Sequence, residues 1–466
     1  MSQTTRAGID PEASRIPLAA DPSVQAATDH MRSSQPRSPD LHLWRNAEQA
    51  QLLVVNGSRL FDLNPQLEQQ VLQALDQGTE SDLLKRLGID GAPMINDQAP
   101  DNLPVHAFSL AIAQKCNLGC SYCYAQQGDF GGTAKSMALD TALQAVDTLI
   151  DQTSAGGRFN LAFMGGEPLV NREVLIAATR HARQRADRLG LTPLFSITTN
   201  GTLLTEADAD FFEDHGFAVT LSLDGVGHMH DALRPFKGGQ GSFDRIMRRV
   251  QPLLDRQHTM QVSARVTVTP RNLALREMLD WFLEAGFHSV GFSPMLNSPT
   301  GQDEMDRAAL AEMLAQMIDC GREFERRSRL GQRYAFSNLL NALRELEKGT
   351  HRPYPCGAGA GYMGVSATGD LFACHRFVDD AAGAMGTLQQ GVDAAKQSDW
   401  LAERHVHQQQ PCNKCWARYL CGGGCHHEVL GSGRHACDYV RGWLEYCMGA
   451  YLRMMPELQG GDNVRA

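Results

Sequence analysis

The chain has 466 residues, enough for a large core and more than one domain, and its 43 basic and 53 acidic residues give a formal net charge of -10. That balance argues against a nucleic-acid partner gripped through its phosphates, and no apolar run reaches the ~18 residues that a membrane span requires. Twelve cysteines fall in two clusters of a large chain whose first forty residues carry no apolar export signal. Free thiols that ligate a metal or cluster in a reducing, cytoplasmic setting are therefore expected in place of disulfides.

Residues 1–40 are rich in Ser, Gln, Pro and Ala without periodicity and read as a disordered tail. Leu41 to Trp44, Gln51 to Val55 and Ser58 to Asp62 then read as three short strands, with Asn56-Gly57 as a hairpin turn. Asn64-Pro65 opens an amphipathic helix, and Thr79 to Leu87 a second. This β-then-α unit, 41–97, resembles the PqqD-like peptide-recognition domains; a purely structural cap is the alternative.

From 104 to 298, apolar runs alternate with helical patterns. The expected strands are Ala107 to Ala113, Asn160 to Met164, Leu194 to Thr199, Val219 to Leu223, Gln261 to Thr269 and Ser289 to Ser293. Between them lie helical patterns at 138–151, 172–189, 206–215, 242–257 and 273–286. Such alternation predicts parallel strands with crossover helices, and functional groups at the C-terminal strand ends.

After the first of these strands, Cys116, Cys120 and Cys123 form a CxxxCxxC loop. A closed zinc site wants a fourth ligand and paired hooks, which this spacing lacks; a 4Fe-4S cube held by three thiolates keeps one iron open to a small molecule. With Tyr122 as the aromatic residue ahead of the third cysteine, the loop resembles that of the radical S-adenosylmethionine (SAM) enzymes.

That resemblance implies an α/β partial (β/α)6 barrel and SAM on the open iron. Gly165-Gly166-Glu167-Pro168 resembles the family's GGEP turn, which holds the SAM amino group. Thr198, Asn200 and Ser222 are then expected around the ribose, and Arg265 at the SAM carboxylate, where a planar guanidinium fits well. Thr198 and Ser222 can equally satisfy backbone at strand ends, and Asn200-Gly201 is an ordinary turn pair. Asp224 is a candidate base for a substrate thiol, or an acceptor for local loop amides.

Residues 299–350 read as bridging helices, Gln302 to Arg329 and Phe336 to Lys348, with Cys320 as a packed thiol. In 351–455, Cys356, Cys374, Cys412, Cys415, Cys421, Cys425 and Cys437 resemble the SPASM domain, which carries two auxiliary 4Fe-4S clusters. By that resemblance Cys356, Cys374 and Cys425 would hold one, and Cys412, Cys415, Cys421 and Cys437 the other. No cysteine lies just before Cys356, a departure from the eight-ligand version; Cys447 is a spare thiol, either an eighth ligand or a buried one.

The segments Cys374-His375-Arg376-Phe377 and Cys415-Trp416-Ala417-Arg418-Tyr419-Leu420-Cys421 resemble the thioether-forming peptide maturases, among them the quinohemoprotein amine dehydrogenase maturation family. The resemblance implies a Cys-rich peptide or small protein subunit as substrate, cross-linked from Cys sulfur to Asp or Glu carbon. It also implies a low-potential donor such as flavodoxin or ferredoxin. The alternatives are an anaerobic sulfatase maturase, which makes formylglycine, and an iron-sulfur electron carrier or sensor without turnover.

Overall fold

The computed structural model describes residues 22–45, 49–100 and 103–458. They form two compact units. One comprises 100, 103–305 and 357–401; the other gathers 22–45 and 49–99 with 306–356 and 402–458. Among the described residues no helix is long and apolar enough to cross a membrane.

The second unit begins with a correction. Pro22–Ser33, expected within a disordered tail, is a helix that buries Ala27 and Met31 against the helices Arg307–Arg329 and Cys437–Leu458. Its polar composition hides a two-residue apolar contact that only tertiary packing rewards. Residues 1–21 lie outside the described residues.

Next come β1 (Leu41–Arg45), β2 (Ala50–Val54) and β3 (Arg59–Leu63), an antiparallel sheet in that order. The central strand β2 is buried throughout. Leu52 and Val54 pack with Val71 and Leu83 of the following helices, while Leu53 and neighbouring Val55 pack with Val406, Trp416 and Met448. The sheet thus has apolar cover on both faces, and β3, half-exposed, is an edge. The first bridging helix starts at Arg307, five residues later than the sequence pattern predicts, because Asp306 caps it by accepting from the Ala309 amide at 2.8 Å.

The other unit is built on β4 (Ala107–Gln114), which is buried along its whole length. β5 (Lys135–Ser136) pairs with its end, and β6 (Arg158–Gly165), β7 (Thr192–Thr199), β8 (Ala218–Ser222), β9 (Gln261–Val268) and β10 (Ser289–Pro294) follow in parallel, each beside its predecessor. These are the six expected strands of an open partial barrel. Crossover helices such as Leu139–Asp151 bury one stripe, here Ala142, Ala145, Val146 and Leu149.

Strands β7 to β9 alternate so that Ile197, Val219, Leu221, Ala264 and Val266 are buried while Thr198, Thr220, Ser222 and Arg265 keep some exposure. One face of the sheet is therefore apolar and covered, and the other is polar and accessible.

The chain does not divide into the consecutive domains read from sequence. β11 (Tyr362–Val365) adds in parallel to the free edge of β4, pairing Tyr362 with Ala107. β12 (Asp370–Phe372), β13 (Ala384–Thr387) and β14 (Gly391–Val392) then continue the sheet antiparallel. Residues 357–401, including Cys374, thus belong with the barrel, while Cys356 and Cys412 to Cys437 belong to the other unit.

Candidate active site

The Cys116–Cys123 loop leaves the C-terminal end of β4 and is fastened from two sides. Gly166 N–H donates to Ala113 O and Glu167 N–H to Lys115 O, each at 2.9 Å. On the other side Gly119 N–H donates to Pro235 O at 2.8 Å. Gly166 is obligatory here, since a Cβ on it would lie 2.5 Å from Lys115 O and 2.7 Å from the Cα of Gly128. Leu118, Cys120 and Tyr122 pack with Leu233 and Met295, and Cys116 and Cys123 lie against this cluster.

Two of the loop's three thiols, those of Cys116 and Cys120, lie within electrostatic reach of one cation, Arg234. Burial pushes the Cys116 thiol up and the Cys120 thiol up to about 12, and the Arg234 charge pulls both back. Arg234 is itself held by Asp224 at 3.2 Å and the Tyr122 hydroxyl at 3.1 Å. Its guanidinium is pushed up because the neighbouring anionic groups outweigh its burial. No local pattern in the sequence marks Arg234; only the fold shows that it faces the cysteines.

The expected binding residues divide into two sets. Glu167 is buried, and its carboxylate accepts from Thr199 Oγ1 at 2.7 Å and from the amides of Asn200 at 2.8 Å and Leu169 at 3.0 Å. Burial pushes this carboxyl up, against those hydrogen bonds. It braces the Gly165–Pro168 turn to the end of β7. Asn200 donates its side-chain amide to Asn117 Oδ1 at 2.9 Å and to Cys116 Sγ at 3.5 Å, so it clasps the loop. Thr198, Ser222 and Arg265 instead lie on the accessible polar face, where Ser222 and Arg265 are register partners and Arg265 donates to Ser293 Oγ.

Asp224, read as a candidate base, has no exposure to offer a substrate. One oxygen accepts from the Thr267 amide at 2.6 Å, and the other from Tyr122 and Arg234. Burial pushes its carboxyl up, with Arg234 opposing. The acceptor role weighed beside the base is the one this geometry matches.

In the other unit, Cys412, Cys415, Cys421 and Cys437 act electrostatically on one another. Burial raises Cys412 to about 11 and Cys421 to about 12, while Arg434 and Arg441 oppose it at Cys412 and Cys437. Mutually close thiols with cations at hand fit a group that binds thiolates. Among the described residues no three His, Cys, Asp or Glu side chains group as chelators of a single ion. A cube makes a different demand, because each thiolate takes a separate iron. Cys356 and Cys425 are exposed. Cys447 is fully buried, and the influences raising its thiol are burial and Glu325, not another cysteine. Cys320 is likewise buried.

The fold is an α/β radical SAM fold with a cysteine-rich C-terminal region, and residues 110–281 match the model of the Radical SAM superfamily. SAM and 4Fe-4S clusters are the cofactors of that superfamily. The chain is similar to maturases. It is 27% identical over 357 residues to the serine-type anaerobic sulfatase-maturating enzyme of Klebsiella aerogenes, covering 73% of this chain and 84% of that one. It is 24% identical over 340 residues to the cysteine-type enzyme of Clostridium perfringens, covering 69% and 89%. The solved structure of native anSMEcpe with bound AdoMet superposes with a TM-score of 0.65 at 18% identity, covering 76% of this chain and 99% of that one. A second, with AdoMet and the Cp18Cys peptide, gives a TM-score of 0.63 at 19% identity, also covering 76% and 99%.

These relatives overturn the expected thioether cross-linking in quinohemoprotein amine dehydrogenase maturation, since the named ones are sulfatase maturases. The segments that prompted that expectation are cysteine-loop segments. Their spacing reports how a cluster is ligated, not which substrate atom is attacked.

Proposed function

We propose that this protein is a radical SAM maturase that oxidises a cysteine or serine side chain of a polypeptide to formylglycine. The reading is carried by the three-thiol loop that leaves the C-terminal end of β4 in a six-strand partial barrel and is fastened to the Gly165–Pro168 turn. Similarity to sulfatase-maturating enzymes of both the serine and cysteine types supports the choice of reaction.

Cys116, Cys120 and Cys123 would hold the SAM-binding cluster, which when loaded supplies a 5′-deoxyadenosyl radical able to remove a hydrogen atom. This chain's own residues do the rest. Arg234 compensates the thiolate charge in a buried setting, and Asp224 and Tyr122 hold Arg234 in place. Gly165, Gly166 and Pro168 shape the turn, Glu167 ties it to β7, and Asn200 keeps Cys116 in register with it. Thr198 and Ser222 offer hydroxyls, and Arg265 a guanidinium, to the polar and carboxylate parts of SAM. Cys412, Cys415, Cys421 and Cys437 would hold one auxiliary cluster, and Cys374 would contribute to another.

The substrate is an extended polypeptide, for which the half-exposed edge of β3 offers backbone pairing, as in PqqD-like domains. A flavodoxin or ferredoxin would supply the electron that splits SAM. The test is incubation of the reconstituted protein with SAM, a strong reductant and sulfatase-derived peptides carrying Cys or Ser. An aldehyde captured by a hydrazide probe supports the reading; SAM cleavage that leaves every peptide unaltered refutes it.

A further inference from the structure

The chain continues directly from Cys123 into Tyr124, and from Cys374 into His375 and Arg376. All of these residues lie in the barrel unit. The rings of Tyr124 and His375 meet edge to face with centroids 5.9 Å apart, and the Arg376 guanidinium covers the Tyr124 ring at 5.2 Å. Phe130 closes on the same ring at 6.3 Å. One aromatic ring, bonded through the backbone to Cys123, therefore meets the ring bonded through the backbone to Cys374.

The His375 side of the contact is independently anchored. Its Nδ1 hydrogen-bonds the Tyr362 hydroxyl at 2.7 Å, and Tyr362 belongs to β11, paired with β4. Further along the same segment, Asp379 accepts from Gln114 at 2.7 Å, and Gln114 Oε1 accepts from the Ala367 amide at 2.9 Å. The segment after Cys374 is thus fastened to the strand that leads into the first cysteine loop. Neither ring is free to swing away.

We propose that the Tyr124–His375 pair is an electron relay between the Cys116/Cys120/Cys123 centre and the centre to which Cys374 contributes. The route has one non-covalent step, from ring to ring, because each aromatic residue is bonded through the backbone to its cysteine. The electron count closes without an outside oxidant. One electron is consumed in splitting SAM. The substrate carbon gives a hydrogen atom to the deoxyadenosyl radical, then one electron to the Cys374 centre and its S–H or O–H proton to solvent. It is left as C=S, which water converts to the aldehyde with release of hydrogen sulfide, or as C=O. The electron returns across the pair and restores the reduced state of the first centre, so the Cys374 centre is oxidised as the first is reduced.

The proposal rests on the reading of Cys374 as a cluster ligand. The fully loaded full-length protein is reduced, freed of donor and mixed with SAM and peptide, and re-reduction of the first centre is followed by freeze-quench EPR. Tyr124→Leu and His375→Leu should each slow that step about tenfold, equivalent to ~1.4 kcal/mol of barrier. The double variant should be no slower than either single one, and Tyr124→Phe, which keeps the ring, should retain the native rate. A native rate in a fully loaded Tyr124→Leu protein overturns the relay while leaving Cys374 as a ligand. Should that variant fail to fold, His375→Leu tests the same contact from the other side with the same refuting result. Full iron and sulfide content in Cys374→Ala overturns the ligand reading, and the relay with it.

Discussion

Replacing Arg234 by Met should damage the protein before any cofactor is bound. The guanidinium is 12% exposed and its partner Asp224 is fully buried, so the substitution strands a carboxylate in the interior. Removing one partner of a buried ion pair typically costs ~3–5 kcal/mol. Asp224 keeps the Thr267 amide and the Tyr122 hydroxyl, which places the expected loss near the lower end of that range, ~3 kcal/mol. A chain of this size is not a safe two-state system, so hydrogen exchange of β9, whose Thr267 amide donates to Asp224, is the better readout. Its slow amides should exchange about 10²-fold faster in the apo variant, at ~1.4 kcal/mol per tenfold. Asp224→Asn combined with Arg234→Met removes the stranded charge and should recover part of the protection. Exchange in the single variant within about threefold of wild type, with no gain in the double, would refute the electrostatic account of this corner; that ratio is under ~1 kcal/mol.

Gly166→Ala should lose iron from the first centre while the other centres still load, because the added methyl collides with Lys115 O and Gly128, as iron analysis with EPR would show. Cys421→Ala should lose the iron of one auxiliary centre, whereas Cys447→Ala should lose none and lower only the melting temperature, since Cys447 is a buried packed thiol. His351 has its imidazole pushed down to about 4, chiefly by burial, with Arg418 and His407 adding to it. The unfolded chain therefore takes up this proton first, and stability should fall as pH drops from the ordinary histidine value of ~6.5 toward 4. His351→Gln should flatten that part of the melting-temperature profile.

The barrel was legible because local and global signals agree in it. β7 and β9 alternate in burial as their sequences do, and the helix Glu206–Asp214 opens on a Thr205/Asp208 capping box. The cysteine loop and the Gly165–Pro168 turn were legible because their spacing is short and their chemistry restrictive. Arg234 was not, because its role depends on a turn after β8 that brings it back under a loop more than a hundred residues earlier. The pairing of β11 with β4 was hidden for the same reason, since nothing in a four-residue strand states which distant edge it completes. The helix Pro22–Ser33 failed differently: its mean composition is that of a linker, and two side chains decide its fate.

Glu167 and Asp224 show why a carboxylate's place at a strand end does not by itself assign it chemistry. Both stand where the fold gathers functional groups, yet every described oxygen contact is to an internal donor, and neither carboxylate reaches the surface. Each ties one turn to the next, Glu167 joining β6 to β7 and Asp224 joining β8 to β9. These braces leave Thr198, Ser222 and Arg265 on the accessible face of β7 to β9, where hydroxyls and a fork-shaped guanidinium would suit a ligand with polar and carboxylate groups. Arg234 lies between carboxylate and thiols: it pairs with Asp224 and pulls back the thiols of Cys116 and Cys120, so a single cation offsets the negative charge on both sides of it.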